Sequence, residues 1–502
     1  MNIIDGIIGL FSPQAAYVRK QWREELKRAG ADYDAASADR LNYNWAAVNQ
    51  AAELGNAPDR DTVRGRARDL ERNADVAKAI IAAFVRNVIG GGIKLQARTD
   101  NNKLNKQIEE LFTEWCRPRN CDVTGRQSFQ ELMRMAVVRK KVDGGILFLK
   151  CYTPHGILPF KLQALEVDEL AVDQTEPSAI GNYVVNGIEV DEYRRPVGYW
   201  INKYDLNGIG TGLPKAAFFP ADKVIFYAQY TRPSQIREMS DIAATITRIR
   251  DMNQFVEAVS QKARMESCFG LAIKKKTPVG GGPQVAMRSA KNAIDEKTKY
   301  KNFQIAPGML LQLALDEEVE TINPTNSGSN AADFLRVQQR LAGAGQGVSY
   351  EAASRDLSQV NYSSARQGLI EDEITYAEER ERLIDTVMSE VYTTFLFSAE
   401  LAKMLDIPAI WQGDRQWFKH EWVPAPRRWI DPLKEANANR IALQTGEKPF
   451  KQLAAEAGRD WQEQIDDIVE VQKYAMSKGL DLMAAIANVS GREAVEGMTQ
   501  EA

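Results

Sequence analysis

Residues suited to metal binding or nucleophilic chemistry are few in this sequence. Cys116 and Cys121 are close together, but a structural zinc site needs four ligands. The histidines, His155 and His420, do not complete a recognisable zinc pattern. Four cysteines among 502 residues do not form a disulfide framework and suit a reducing compartment. We therefore expect free thiols, no metal ion and no cofactor.

Glycine-rich segments that cradle phosphate groups follow a defined pattern, which this sequence lacks. A P-loop needs G-x-x-x-x-G-K-[ST] after a strand, and neither residues 90–92 nor residues 280–282 fit it. Residues 343–347 follow a predicted helix, so they are not a dinucleotide-binding fingerprint. A G-x-S-x-G motif for a nucleophilic serine is also missing. We expect these glycines to end helices and the chain to carry out no catalysis.

Two other segments have residue types that suit contact with DNA or with an acidic partner. The first contains Lys274, Lys275 and Lys276 ahead of a Pro/Gly-rich stretch. The second is a polar loop, residues 323–330, with the candidate residues Asn323, Thr325, Asn326, Ser327, Ser329 and Asn330. Neutral polar side chains contact phosphates without a strong charge trap. Solvated surface loops are the alternative interpretation of both segments.

The overall composition excludes several classes of protein. With 44% hydrophobic and 26% charged residues, the chain has the balance of a globular protein and can bury more than one core. A formal net charge of −4 argues against a protein that coats nucleic acid, because such proteins need a large basic excess. The apolar run at residues 3–11 is much shorter than the roughly 20 residues that span a bilayer. We expect neither a signal peptide nor a membrane anchor.

One long helix stands out among the elements that must position these segments. Residues 240–268 contain no Gly or Pro, and apolar side chains recur there on one face at helical spacing. The predicted packing residues of this face are Ile242, Ile246, Ile249, Val256 and Val259. A helix on the order of 40 Å long is hard to bury inside one domain. We therefore predict that copies of the same chain lie beside it and cover its apolar stripe.

The other elements predict an α+β fold that is predominantly helical. Asp61 is expected to cap the first helix of the body. Further helices are predicted at residues 63–89, 105–115, 128–141, 285–299, 333–341, 363–405 and 431–478. Strands are predicted at residues 93–96, 145–152, 160–165, 184–190, 196–202 and 223–227.

Four segments, in order, resemble the lambda-type portal protein family of tailed phages. Residues 66–73 (RARDLERN) resemble the family's opening motif, and residues 230–240 (YTRPSQIREMS) resemble the segment before its long helix. Residues 345–356 (GQGVSYEAASRD) and 361–366 (NYSSAR) are similar to its most specific signature. The segments that begin at residues 433 and 456 resemble its C-terminal helices.

This resemblance implies a dodecameric ring at one capsid vertex that conducts double-stranded DNA during packaging and ejection. The implied partners are further copies of the chain, DNA, terminase, head completion and tail adaptor proteins, and the capsid and scaffold proteins. No membrane is involved. The implied location is the virion, after assembly in the bacterial host cytoplasm. Lys274, Lys275 and Lys276 would then dock a partner at the clip, and residues 323–330 would project into the channel.

The resemblance also divides the chain into regions. We expect an N-terminal arm (1–60), a mixed α/β wing body (61–235), a stem helix (236–270), a clip-side excursion (271–284), a return stem helix and strand (285–320), a tunnel loop (321–332), wing helices (333–430), and a C-terminal helical crown region and tail (431–502).

Two alternative functions belong to other classes. A nuclease or packaging ATPase would cleave nucleic acid or turn over nucleotide, and the missing P-loop and carboxylate–metal motifs disfavour it. A different capsid or tail structural protein is disfavoured by the long helix, the breaker-rich excursion and the second helix that follow one another.

Overall fold

The structure, a computed structural model, describes most of the central chain. The described residues are 48–202, 216–268, 331–358, 362–407, 410–425 and 432–481, with isolated positions 14, 18, 19, 21, 22, 272, 273, 311 and 312. The candidate residues at 274–276 and 323–330 and the helix predicted at 285–299 lie outside the described residues. Residues 1–55 and 56–502 form two separate units. All packing described below belongs to the second unit.

Helices dominate the described part of the chain. They are α1 (Ala52–Asn73), α2 (Asp75–Ile89), α3 (Asn102–Trp115), α4 (Pro118–Cys121), α5 (Phe129–Asp143), α6 (Ile246–Cys268), α7 (Ala331–Ala344), α8 (Tyr350–Ser354), α9 (Tyr362–Leu383), α10 (Ser389–Leu401), α11 (Pro432–Thr445), α12 (Phe450–Glu456) and α13 (Trp461–Ser477). A π-helical turn, Ile384–Met388, joins α9 to α10.

Short antiparallel sheets make up most of the β structure. The strands are β1 (Lys94–Ala97), β2 (Gly145–Tyr152), β3 (Phe160–Leu165), β4 (Tyr183–Val185), β5 (Ile188–Val190), β6 (Pro196–Asn202), β7 (Ala216–Pro220), β8 (Val224–Ala228), β9 (Ala272–Ile273), β10 (Leu311–Gln312) and β11 (His420–Val423). The sheets have the strand orders β3-β2-β8, β4-β5-β6-β7 and β1-β11, all antiparallel, and the parallel pair β10-β9. The predicted α+β, predominantly helical fold is confirmed.

Strand β2 lies between two hydrophobic cores. Its residues alternate between the cores, as expected for a strand whose successive side chains point to opposite faces. Ile146 and Phe148 belong to the larger core, while Leu147 and Leu149 belong to the smaller one. The uninterrupted apolar run of this strand follows from burial of both faces.

Aromatic side chains from distant helices meet in the larger core. The Phe112 ring of α3 lies 5.1 Å from the Phe395 ring of α10, centroid to centroid, in an edge-to-face arrangement. Trp115 stacks on Phe160 of β3, and its indole Nε1 donates a hydrogen bond of 2.9 Å to the Phe160 carbonyl oxygen. This core therefore joins the N-terminal helices to α10.

Several boundaries differ from the sequence predictions. Asp61 does not cap a helix, because α1 begins at Ala52 and continues through Pro58. The long helix begins at Ile246, since residues 243–245 form a 3₁₀ turn. The strand predicted at residues 184–190 is a hairpin, β4-β5, whose turn residues Asn186 and Gly187 have positive φ.

Helix α5 ends at a glycine that packs closely against the segment leading to α6. Gly144 has φ of 95° and the left-handed conformation of a helix C-cap. A Cβ atom added there would lie 2.5 Å from the Met239 carbonyl carbon. The helix end and the pre-helix segment therefore fix each other's position.

We predict that Gly144→Ala destabilises the chain more than Gly181→Ala. Gly181 has a similar φ of 97° with open space around its hypothetical Cβ, so it isolates the backbone strain. The control should cost about 1–2 kcal/mol and Gly144→Ala about 2–5 kcal/mol, because overpacking adds to the strain. Urea denaturation followed by circular dichroism measures both. Equal costs would contradict tight packing at Gly144.

Candidate functional site

A buried charge cluster fixes the segment from which α6 rises. Lys140 of α5 is 1% exposed, and its ammonium group donates hydrogen bonds of 2.7–2.8 Å to Gln229, Asp241 and Glu379. Asp241 lies just before α6, and Glu379 lies on α9. One buried lysine therefore joins α5, the base of α6 and α9.

Glu379 is ionised within this cluster. Burial alone would raise the pKa of its carboxyl group, but the Lys140 charge and hydrogen bonds from Lys140 and Tyr227 outweigh burial and lower the pKa. Arg382 adds a further ion pair at 2.6 Å. For Asp241 the balance goes the other way, because burial raises its pKa in spite of Lys140 and Lys141. Lys140 thus has two carboxylate partners, of which Glu379 is the more deeply buried.

The neighbouring lysine contacts the signature segment at residues 345–356. Lys141 lies 4.0 Å from the centre of the Phe84 ring, and its Nζ donates a hydrogen bond of 3.2 Å to the Gln346 carbonyl oxygen. Burial lowers the pKa of Lys141 to about 8. The Gln346 side chain in turn donates to the Asp241 carbonyl oxygen and to Thr245 Oγ1.

The same segment also holds α9. Gly347 has φ of 66°, and a Cβ atom there would lie 2.5 Å from Thr375 Cγ2. Ser349 caps α8, and it donates through its backbone nitrogen and its hydroxyl to Asp372 at 2.9 and 2.7 Å. The signature residues thus connect the base of α6 to α9, and their role in this structure is to hold these two elements together.

The predicted packing residues of the long helix divide into two groups. Ile242, Ile246 and Ile249 are buried in the core of their own chain. Val256 and Val259 continue the same face but are exposed, Val256 by 49%. The expectation that copies of the chain cover the whole stripe is therefore corrected: the first turns of α6 lie on their own subunit, and only the later turns lack cover.

Helix α7 runs beside α6 and adds further exposed apolar residues. The Phe255 and Phe334 rings lie 5.0 Å apart, and Arg248 donates a hydrogen bond of 2.7 Å to Gln338. These two contacts occur in opposite chain order, so the helices are antiparallel. The exposed apolar residues of the pair are Val256, Val259, Phe334, Val337 and Leu341. Below they are called the exposed helix-pair residues.

The described residues give little support for a metal site, a nucleophilic thiol or a membrane-spanning helix. Within them, no group of three or more His, Cys, Asp or Glu side chains could hold a metal ion. Cys121 is buried, and burial raises the pKa of its thiol to about 12, which makes it a poor nucleophile. Among the described helices, none is long and apolar enough to span a bilayer.

The sequence prediction missed the Lys140 cluster. A signal was present, because Lys140 follows Met133 and Val137 by seven and three residues and so shares their buried helix face. Glu379 similarly lies between Tyr376 and Leu383 on the buried face of α9. Charged residues on an apolar face indicate a buried pair, but not which partners meet.

We predict that Glu379→Ala strongly destabilises the chain, whereas Glu378→Ala does not. Removing Glu379 takes away the more deeply buried of the two carboxylates that pair with Lys140, which costs about 3–5 kcal/mol. The Glu378 side chain is 68% exposed, and its pair with Arg382 contributes at most about 1 kcal/mol. Denaturation midpoints of the two variants test this. Similar midpoints would show that the cluster does not hold the fold.

Comparison with known proteins gives a consistent family. The sequence model for "Phage portal protein, lambda family" matches residues 38–380. The "Probable portal protein" of Halomonas phage phiHAP-1 is 25% identical over 481 residues, covering 91% of this chain and 88% of the relative. "Portal protein B" of Escherichia phage lambda is 19% identical over 460 residues, covering 84% and 85%.

Solved structures of phage-like particles are also similar to this chain. A chain of the virion of a native gene transfer agent particle is 15% identical, with 78% of this chain and 92% of that chain covered and a TM-score of 0.37. That similarity is too low to support an argument about geometry, so the family assignment rests on the sequence match.

Proposed function

The chain belongs to the lambda family of phage portal proteins, and from this premise we propose that it assembles into a dodecameric ring through its helix pair α6–α7. It is a structural portal protein of the virion, positioned at a capsid vertex. Beyond the family assignment, we propose which contact closes the ring and that double-stranded DNA passes through it.

The exposed helix-pair residues carry this proposal. In a single chain they leave bulky apolar side chains in water on two adjacent helices, with Phe334 46% exposed. Apolar patches of this kind mark surfaces that associate with a partner. The base of the pair is held by Lys140 and Gln346, so the exposed turns project from a fixed point. Copies related by rotation can cover these residues in turn.

We further propose that the ring conducts DNA and carries out no catalysis of its own. A net charge of −4 per chain disfavours tight binding of the duplex, which suits a conduit. We assign the tunnel loop to residues 323–330, whose neutral polar composition offers weak contacts to phosphates. Terminase, head completion, tail adaptor, capsid and scaffold proteins are its proposed partners, with assembly in the host cytoplasm.

The ring proposal predicts that charges at the exposed helix-pair residues prevent assembly. Val256→Glu with Val259→Glu should reduce the yield of rings at least tenfold, since two buried charges at each of the subunit contacts cost several kcal/mol. Gln254→Glu with Ala258→Glu adds the same charge to another face of α6 and is the control. Negative-stain microscopy and native mass spectrometry measure the rings. Normal rings in the first variant would refute the proposed contact.

We also predict that Lys274→Glu, Lys275→Glu and Lys276→Glu together leave ring assembly intact but impair terminase or adaptor docking. Lysines repeated around a ring suit an acidic partner, and reversing their charge makes that contact repulsive. Packaging yield and tail joining, measured with the triple variant, test this. Unchanged packaging and tail joining would remove the lysines from the docking site.

A further inference from the structure

A groove between α2 and α5 combines an apolar floor with a basic rim. Its volume is 790 Å³. The apolar residues that line it are Ile81, Ala82, Val85 and Val138, and the basic residues are Arg72, Lys78, Arg86 and Arg134.

The charges of this groove are predominantly positive and accessible. Glu71 also lines it, but its carboxylate is bound by Arg139. Within the part of the chain that the structure describes, Arg72, Lys78 and Arg86 form no ion pair, and all three are exposed. Asp75, exposed on the first turn of α2, is not part of the groove lining. An apolar floor with a basic rim fits an amphipathic helix with acidic flanks.

Helix α9 carries such a face on its outer side. Ile370 and Ile374 are exposed, Ile374 by 63%. Three exposed carboxylates of α9 accompany them, Glu371, Glu378 and Glu381, and the exposed Asp385 follows in the π-helical turn. Residues 371, 374, 378 and 381 are three or four positions apart on α9, so they share one face. Arg382 at its edge is already paired with Glu378 and Glu379.

The groove and this acidic face lie on different surfaces of one chain. The inner face of α9 packs on α2, where the Tyr376 and Phe84 rings lie 5.7 Å apart and Arg380 donates to the Val88 carbonyl oxygen. Lys78, Ala82 and Arg86 lie away from this contact, because steps of two residues from Phe84 to Ala82 or Arg86, and of six residues to Lys78, turn the direction by about 120–200° around a helix. The basic groove and the acidic face of α9 are therefore separate surfaces, and one subunit can present both.

We propose that the outer face of α9 in one copy occupies the groove beside α2 in the next copy. Two different complementary faces on one subunit form a head-to-tail contact, which is the kind that closes a ring. This contact rests on the proposed ring and assigns it a second, electrostatic interface in addition to the helix pair α6–α7. The four carboxylates meet the four basic side chains, while Ile370 and Ile374 cover the apolar floor.

Charge reversal on each face provides the test. One variant carries Lys78→Glu and Arg86→Glu in the groove, and the other carries Glu371→Lys and Glu381→Lys on α9. In each variant alone the two reversed side chains face groups of the same sign on the next copy and the altered face loses its net charge, so its ring yield should fall at least tenfold at low salt. An equal mixture of the two, dissociated and reassembled, should recover rings, since each contact of an alternating ring is then either unaltered or reversed at the chosen positions of both faces. Lys103→Glu with Lys106→Glu, on the exposed face of α3, is the matched control.

Native mass spectrometry reads both ring yield and composition. Recovered rings that contain the two variants in equal numbers support the proposal. Rings formed normally by either variant alone, or no recovery in the mixture, overturn it. Failure of the unmodified chain to form rings would instead defeat the proposed function itself. Circular dichroism melting curves establish that each variant is folded.

Zero-length carbodiimide crosslinking of the unmodified ring gives a second, independent reading. It should couple Lys78 to a carboxylate of α9 from another subunit. Crosslinks from Lys78 to the acidic helix α13 would assign the groove to that helix and overturn the proposal. If the groove variant forms normal rings but no longer binds duplex DNA, the groove is assigned to nucleic acid, and the proposal is likewise overturned.

Discussion

Burial of the Lys140 ammonium group forces three parts of the chain to meet. A charged group that is 1% exposed is tolerated only where counter-ions and hydrogen-bond acceptors surround it. Here these groups are Gln229 just after β8, Asp241 just before α6 and Glu379 on α9. Moving any of these segments away would leave an uncompensated charge. The direction in which α6 leaves the body therefore depends on this cluster, and the position of the exposed apolar residues further along depends on that direction.

The signature segment reinforces this arrangement rather than adding a separate activity. Gln346 binds the base of α6, Lys141 binds Gln346, and Ser349 binds α9 through Asp372. The contacts of Gln346 with α6 and with Lys141 join elements that are far apart in sequence. These contacts connect the base of the α6–α7 pair to α9 through the signature segment. The outer face of α9 is the surface that we assign to the adjacent subunit.

The sequence allowed much of the fold to be predicted, and the errors have physical causes. Strands β2, β3 and β6 were predicted with their observed bounds, because burial leaves clear apolar runs between turn residues. Strands β7 and β11 were missed, since short strands that pair at an edge carry little pattern. The apolar stripe of the long helix was recognised, but its division at Met252 depends on tertiary packing, which periodicity does not report. The Lys140 cluster was missed for the same reason.

A side-chain-resolution cryo-electron microscopy reconstruction of the assembled oligomer tests the central claim most directly. The account predicts that Val256, Val259, Phe334, Val337 and Leu341 each lie within about 4.5 Å of carbon atoms from a neighbouring copy, while Lys140 keeps its contacts to Asp241 and Glu379. A closed ring in which those five side chains face solvent or the lumen, and the copies touch elsewhere, would contradict it.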